Sequence, residues 1–439
     1  MNTFPDAFLR RMERQLGPEM PFFLHALEAP AVRGIRMNPF KPFEGREDFE
    51  TGIPVPWCGD GYTLPFESCA GATVFHEAGA FYLQEPAAML PAEVLNAKPG
   101  ETVLDLCAAP GGKSTQIGLA MRGDGILVCN EPVPSRAQIL SRNIERIGIP
   151  NAVVVSAMPE KLAERWNGCF DAVLVDAPCS GEGMFRRDPD TRSEWNAEQA
   201  EGCAKRQKEI LREAAKMVRP GGRIVYSTCT YNPAENEDNI AWFLENHRDF
   251  ELCPWNLPGT DKTEGMYTCF PHRNMGEGQF VANLRRTGQT DPPSLTRVLP
   301  LPDRTVMQAY RASFPIFPEP DGMIGNRLVR LASCPDMKGV QILRAGLHLA
   351  EIKGKTLVPD HAAAMSIIPV RAADAELNDR ETLRYLAGEE VAGNAEGWAR
   401  IRYKGLVLGW GKGSGGTIKN HYPKGLRKHN LLAGTDTMP

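Results

Sequence analysis

The 439-residue chain has no run of about 18 apolar residues, so no bilayer-spanning helix is expected from it. Its first residues, MNTFPDAFLRRMERQLG, lack the apolar core of a secretory signal and read as an amphipathic helix, so a cytoplasmic location is expected. There is no CxxC pair among its 11 cysteines, and its 8 histidines form no metal-ligand spacing with them. Neither a disulfide framework nor a metal site is expected, and reduced thiols are left free for chemistry. No internal repeat is present. Net charge is only −4, which excludes a global polycation. Locally, residues 397–435 contain no acid and eight cations: Arg400, Arg402, Lys404, Lys412, Lys419, Lys424, Arg427 and Lys428. Such a one-signed region is a candidate phosphate-binding surface.

What is present is an alternation of short apolar strands and amphipathic helices. Phe8, Leu9, Met12 and Leu16 share a helical face, and a second short helix is expected at Phe22–Leu27. RGIRMNPFK (33–41) reads as a strand carrying Arg33 and Arg36, inside a small α+β cap over residues 1–80. Phe81–Asn96 reads as a helix with Pro86 near its start. Strands are expected at Val103–Leu106, Ile126–Glu131, Ala152–Val155, Ala172–Asp176 and Arg223–Cys229. Between them, residues 135–147 place Ile139, Leu140, Ile144 and Ile147 inward, and a later helix aligns Ile210, Leu211, Ala214, Ala215 and Val218. Apolar strands separated by such helices predict a parallel sheet covered on both faces, with ligands at the strands' carboxyl ends. The expected class is thus α/β, with a Rossmann-like core over 81–286, a Pro-rich linker over 287–305 and a separate domain over 306–439. In that domain WARIRYKGLVLGWGKG predicts a hairpin turning at Lys404–Gly405.

The chemistry gathers at three strand ends. VLDLCAAPGGKS (103–114) runs a strand into a glycine turn and a helix N-terminus, where backbone N–H groups can approach a ligand. Gly112–Lys113–Ser114 resembles the second half of a nucleotide phosphate loop, but Cys107 stands where that loop needs its leading glycine. Glu131 ends the next strand about 20 residues after the turn, the spacing of an acid that accepts ribose hydroxyls. DAPCSGEG and STCTYNPAENE then place Asp176, Cys179 and Cys229 at two further strand ends. Paired thiols have no use in an NTPase and do suit covalent attack on an electrophilic carbon. These residues by themselves leave open which cysteine attacks.

CAAPGGK, DAPCSGEG, STCT with NPAENE, and PHRNMGEGQF (271–280) together resemble the Nop/Sun family of RNA cytosine-5 methyltransferases over residues 80–286. The tail, with GLVLGWGKG and KNHYPKGLR, is similar to the RsmF-like bacterial branch, which acts on 16S ribosomal RNA through a PUA-like RNA-binding domain. The resemblance implies S-adenosyl-L-methionine as cofactor, wrapped by Cys107, Ala108, Ala109, Pro110, Gly111, Gly112 and Lys113, with Glu131 on the ribose and Arg136 beside it. It implies Cys229 as nucleophile on cytosine C6, Cys179 in product release and Asp176 on the cytosine edge. Ser156, Ala157 and Met158 replace the acid with which the family holds adenine, so that contact stays unassigned. RNA is expected to cross Arg36, Arg186, Arg187, His272, Arg273, Lys412, Lys419 and Lys424. Ribosomal RNA, free or within the small subunit, is the expected partner of a monomeric enzyme with no membrane contact. The same chemistry on tRNA, a nucleotide hydrolase and a non-catalytic assembly factor are the competing readings.

Overall fold

A computed structural model describes residues 4–47, 49–291, 295, 299–331 and 333–433. The helices Asp6–Leu16 and Met20–Glu28 lead into a three-stranded antiparallel sheet, Arg33–Met37 (β1), Gly61–Leu64 (β2) and Phe81–Leu83 (β3), with β1 in the middle. The apolar face of the first helix is spent on the core of the protein. Phe8 and Met12 are fully buried, and Phe8 meets Phe185 edge-on at 5.0 Å.

The large sheet takes Thr102–Asp105 (β4), Ile126–Asn130 (β5), Ala152–Ser156 (β6), Phe170–Asp176 (β7) and Val218–Thr228 (β8) in the parallel order β6-β5-β4-β7-β8. Phe250–Leu252 (β9), Met266–Cys269 (β10) and Gln279–Arg286 (β11) extend it antiparallel beyond β8. Strand order reverses between β4 and β7, which opens a crevice at their carboxyl ends where a ligand can enter. Val103, Leu104, Val173 and Leu174 are fully buried, as strands covered on both faces require.

Three expectations are corrected here. Phe81–Asn96 is not one helix: β3 comes first, then a 3-10 turn at Ala87–Met89 and a short helix at Leu90–Leu95. Pro86 disfavours helical backbone at Glu85, so the preceding residues stay extended and pair with β1. Ile139 is 49% exposed, because Ala137, Leu140, Ile144 and Ile147 already form the inward stripe of the Pro134–Ile147 helix. Val218, placed on a helix from sequence, opens β8 instead and is fully buried there.

Beyond the core, part of the Pro-rich segment (292–294 and 296–298) lies outside the described residues. Gly322–Ile324 (β12), Arg327–Arg330 (β13), Leu347–Lys353 and Thr356–Pro359 form a four-stranded sheet. Between them, Gln341–Ala345 pairs antiparallel with β6 and so joins the core sheet's far edge. A five-stranded sheet follows, and its Gly397–Tyr403 and Leu406–Ser414 strands form the expected hairpin. Lys404 and Gly405 turn it with φ of 46° and 83°, the left-handed pair that a tight hairpin demands. The chain's two ends share one core: Phe43 and Phe75 stack at 4.4 Å, and Tyr403 and Leu406 pack in the same cluster. No helix among the described residues is long and apolar enough to cross a membrane.

Candidate active site

The β4 end builds a cradle from backbone. Leu106 N–H donates to the Leu174 carbonyl on β7 and Ala108 N–H to Asn130 on β5, each at 2.9 Å. Gly111 turns the loop at φ 112° and the Gly112–Ala120 helix starts immediately. Arg136 donates to the Ala109 carbonyl and Asn143 to the Pro110 carbonyl, holding the loop from outside. A cavity of about 230 Å³ lies against this loop, with Asp105, Cys107, Lys113, Asp176 and Arg187 in its wall. Asp105 accepts from the Ser114 hydroxyl at 2.6 Å through one oxygen, and its other oxygen is buried without a partner. Burial, opposed in part by that hydroxyl, pushes the carboxyl up to about 7. Burial and then the nearby carboxylates push the Cys107 thiol well above the ordinary range. Cys107 is therefore an inert wall of the cradle rather than a second nucleophile.

Glu131 is 3% exposed at the next strand end. One oxygen accepts from Val133 N–H, and the other lies 3.3 Å from the Arg136 guanidinium. Arg136 so ties the ribose candidate to the cradle. At the β6 end, Ser156 donates to the Pro132 carbonyl and Ala157 N–H donates to Asn130, while Met158 stays exposed.

A donor with a purine nucleoside and an amino-acid end fits this set. The cavity carries an unpartnered carboxylate oxygen beside a helix N-terminus, and a second carboxylate waits at the next strand end. A triphosphate fits it less well, since three acidic residues, Glu85, Asp105 and Asp176, line the space.

The β7 and β8 ends bring the two thiols together. Asp176 and Ser227 are in parallel register, and Ser227 donates to one Asp176 oxygen at 2.7 Å. Lys113 reaches from the cradle to the other oxygen, also at 2.7 Å. Burial opposes the Lys113 charge, but Asp176 outweighs it and holds the ammonium above its ordinary value. Cys179 and Cys229 Sγ atoms stand 3.2 Å apart, both half-buried, and Cys229 N–H points at the Cys179 sulfur. The hydrogen bond to Cys229, with burial, keeps the Cys179 thiol protonated.

Buried carboxylates that motif reading left without roles hold these loops. Glu235, fully buried, accepts from Ser180 N–H and hydroxyl on the Cys179 side, from Asn232 on the Cys229 side, and from Gln207. Glu182, also fully buried, accepts from Tyr231 N–H and from Arg11 of the N-terminal helix at 2.5 Å. Gly183 N–H donates to the Cys229 carbonyl, and a Cβ there would sit 2.9 Å from that oxygen. Glu182 and Glu235 both lie inside quoted motifs. Arg11 carried no sequence signal, because its partner is 171 positions away.

The expected RNA contacts divide. Arg36 is 3% exposed and spends its donors on Gln84, Gly112 and Thr115. Arg186 is buried against Glu277 and the Gly276 and Ala26 carbonyls. Both brace the fold, and neither presents a free guanidinium to RNA, which corrects the expectation. His272 and Arg273 are tied to Glu19, whose carboxyl these hydrogen bonds hold down at about 2. Arg187, Lys412, Lys419 and Lys424 are exposed. Lys412 pairs in register with Lys419 and lies over the Trp398 ring.

Profiles of known families cover most of the chain. Residues 92–285 match 16S rRNA methyltransferase RsmB/F, and residues 4–86 match the N-terminal domain of 16S rRNA methyltransferase RsmF. Residues 322–367 match the RsmF first C-terminal domain and residues 372–428 the RsmF PUA domain. Ribosomal RNA small subunit methyltransferase F of Citrobacter koseri is 32% identical over 99% of this chain and 98% of its own length. The protein of the same name from Escherichia coli is 34% identical over 98% of each. A solved methyltransferase homolog from Pyrococcus horikoshii superposes with a TM-score of 0.57 at 29% identity, covering 65% of this chain and 96% of its own.

Proposed function

Since the chain belongs to the RsmB/F family of 16S rRNA methyltransferases, whose methyl donor is S-adenosylmethionine, we propose that it methylates cytosine C5 in 16S ribosomal RNA through a covalent Cys229–C6 adduct. The observation that carries this reading is the pair of thiols 3.2 Å apart at neighbouring strand ends, beside Asp176. When bound, the cofactor supplies a methyl group on a positively charged sulfur, and an unactivated aromatic C5 is too weak a nucleophile to take it.

Cys229 supplies the activation. Its thiol first gives up its proton to solvent; the thiolate then adds to C6, the C5–C6 double bond opens, and C5 becomes the nucleophilic end of an enamine. Asp176, held on both oxygens by Lys113 and Ser227, is positioned to orient the base through its N4 amine, a preorganised electrostatic contact. After methylation C5 loses its proton to solvent. The S–C6 bond then breaks, its electron pair returns to the Cys229 sulfur, and the neighbouring Cys179 thiol donates a proton to that sulfur. Cys179 recovers its proton from solvent. The cytosine leaves any stack to reach the thiol, at a cost of a few kcal/mol met by protein contacts.

Bisulfite sequencing of 16S rRNA from a deletion strain, with and without the wild-type gene, tests the proposal. A 5-methylcytosine lost on deletion and restored by complementation supports it. A lost mark confined to tRNA transfers the same chemistry to that substrate, and no lost mark in any RNA sinks it.

A further inference from the structure

A second cavity shares part of its wall with the first. It is about 320 Å³, and Leu83, Gln84, Glu85 and Arg187 line both. On its other side stand Arg33 and Phe66, brought together by β1 and the turn after β2, with Arg33 Nη1 donating to the Phe66 carbonyl at 2.5 Å. Phe66 is 67% exposed. Neither Arg33 nor Arg187 has a carboxylate partner among the described residues. The one acid in the wall, Glu85, does not cancel them: it is buried, and the Ala87, Ala88 and Glu277 N–H groups occupy its oxygens.

Resting on the reading that Asp176, in the wall of the first cavity, orients a target cytosine for Cys229, we propose that this groove is the subsite for the adjacent nucleotide of the same RNA strand. Its base stacks on Phe66, and its phosphate lies between Arg33 and Arg187. The physical requirements meet there. A base held at Asp176 keeps its own backbone and its neighbour close by, and Arg187 lines both cavities. A ring exposed to this degree offers a stacking platform that accepts any base. Two guanidiniums without carboxylate partners at this groove can give the bidentate phosphate contact that lysine does not. The arginines come from two different elements, the N-terminal sheet and the segment after the Cys179 loop, so the RNA strand would be gripped across the seam between them.

The test uses the full-length protein and single-stranded RNA oligonucleotides with one cytosine, each also made with an abasic neighbour on the 5′ or 3′ side. Phe66→Ala is expected to raise KM about tenfold with kcat little changed, and to abolish the wild-type sensitivity to one of the abasic neighbours. Phe66→Trp keeps the wild-type KM, which separates stacking from a folding defect. Arg33→Ala and Arg187→Ala each reduce the slope of log affinity against log salt by about one. An unchanged KM in Phe66→Ala, or equal abasic penalties in wild type and variant, overturns the subsite. If wild type binds the cofactor but methylates none of the intact oligonucleotides or 16S rRNA, the cytosine reading itself fails, a result distinct from the other two.

Discussion

The cradle at the ends of β4 and β5 and the thiol pair at the ends of β7 and β8 sit side by side on one sheet, yet they are built on different principles. The cradle is the more local of the two, although Arg36 reaches Gly112 and Thr115 from the N-terminal sheet. One loop of backbone, two glycines and a helix start make it, and its outer braces come from the next helix. The thiol end is assembled from a distance. Glu182 answers to Arg11, 171 residues upstream, and Glu235 joins the Cys179 loop, through Ser180 55 positions away, to the Ala197–Met217 helix, through Gln207 28 positions away. A local cradle tolerates mutation of its surroundings, whereas a site held by buried carboxylates is coupled to the fold of the whole molecule, because an unpaired buried charge costs far more than a lost surface contact.

Substitutions can break this contrast, beginning with the largest effect. Cys229→Ala is expected to lower methyl transfer by at least about a thousandfold while cofactor binding by calorimetry stays intact. Residual turnover near wild type would remove the nucleophile assignment. Cys179→Ala slows turnover by about a hundredfold, the scale of a lost proton donor, and leaves a protein–RNA adduct that survives SDS. An adduct-free gel from active protein would show that release does not depend on this thiol. Arg11→Ala strips Glu182 of its cation and is expected to cost about 3 kcal/mol in urea unfolding. The double change Arg11→Ala with Glu182→Gln should recover part of that loss, and additive losses would mean the pair is not coupled.

The smallest effect concerns the cradle. Asp105 binds its proton more tightly folded, with a value near 7, than in the unfolded chain, near 3.8. Between those values the native state holds more protons, so stability falls as pH rises from about 4 to 7 and is level above. Asp105→Asn removes that loss. Its melting temperature should match wild type at low pH and exceed it at pH 8. An equal difference at both ends would show that folding does not shift the Asp105 carboxyl.

The cradle was legible because its signals are adjacent residues with local consequences. A glycine at positive φ, a small-residue turn and a helix start need no distant partner, and Glu131 follows at the spacing the strand-helix-strand unit sets. Asp176, Cys179 and Cys229 could be placed on strand ends for the same reason. Arg36 and Arg186 misled because an arginine in a polar stretch reads as surface, and only packing revealed their buried carbonyl partners. Helix termini within Phe81–Asn96 were misjudged because apolar spacing outweighed the backbone restriction before Pro86.

By itself the sequence determined the order of chemically capable residues along the chain: a glycine cradle, an acid at the next strand end, then an acid and two thiols at strand ends, and a basic hairpin near the C-terminus. Those follow from local backbone preference and hydrophobic period, which act over a few residues. Tertiary structure alone decided that the two sulfurs meet at 3.2 Å, that Glu182 and Glu235 lock their loops, and that Phe66 and Arg187 line one groove. Such contacts depend on how twisted strands and distant loops converge in space, and burial sets their energy only once the chain has closed around them.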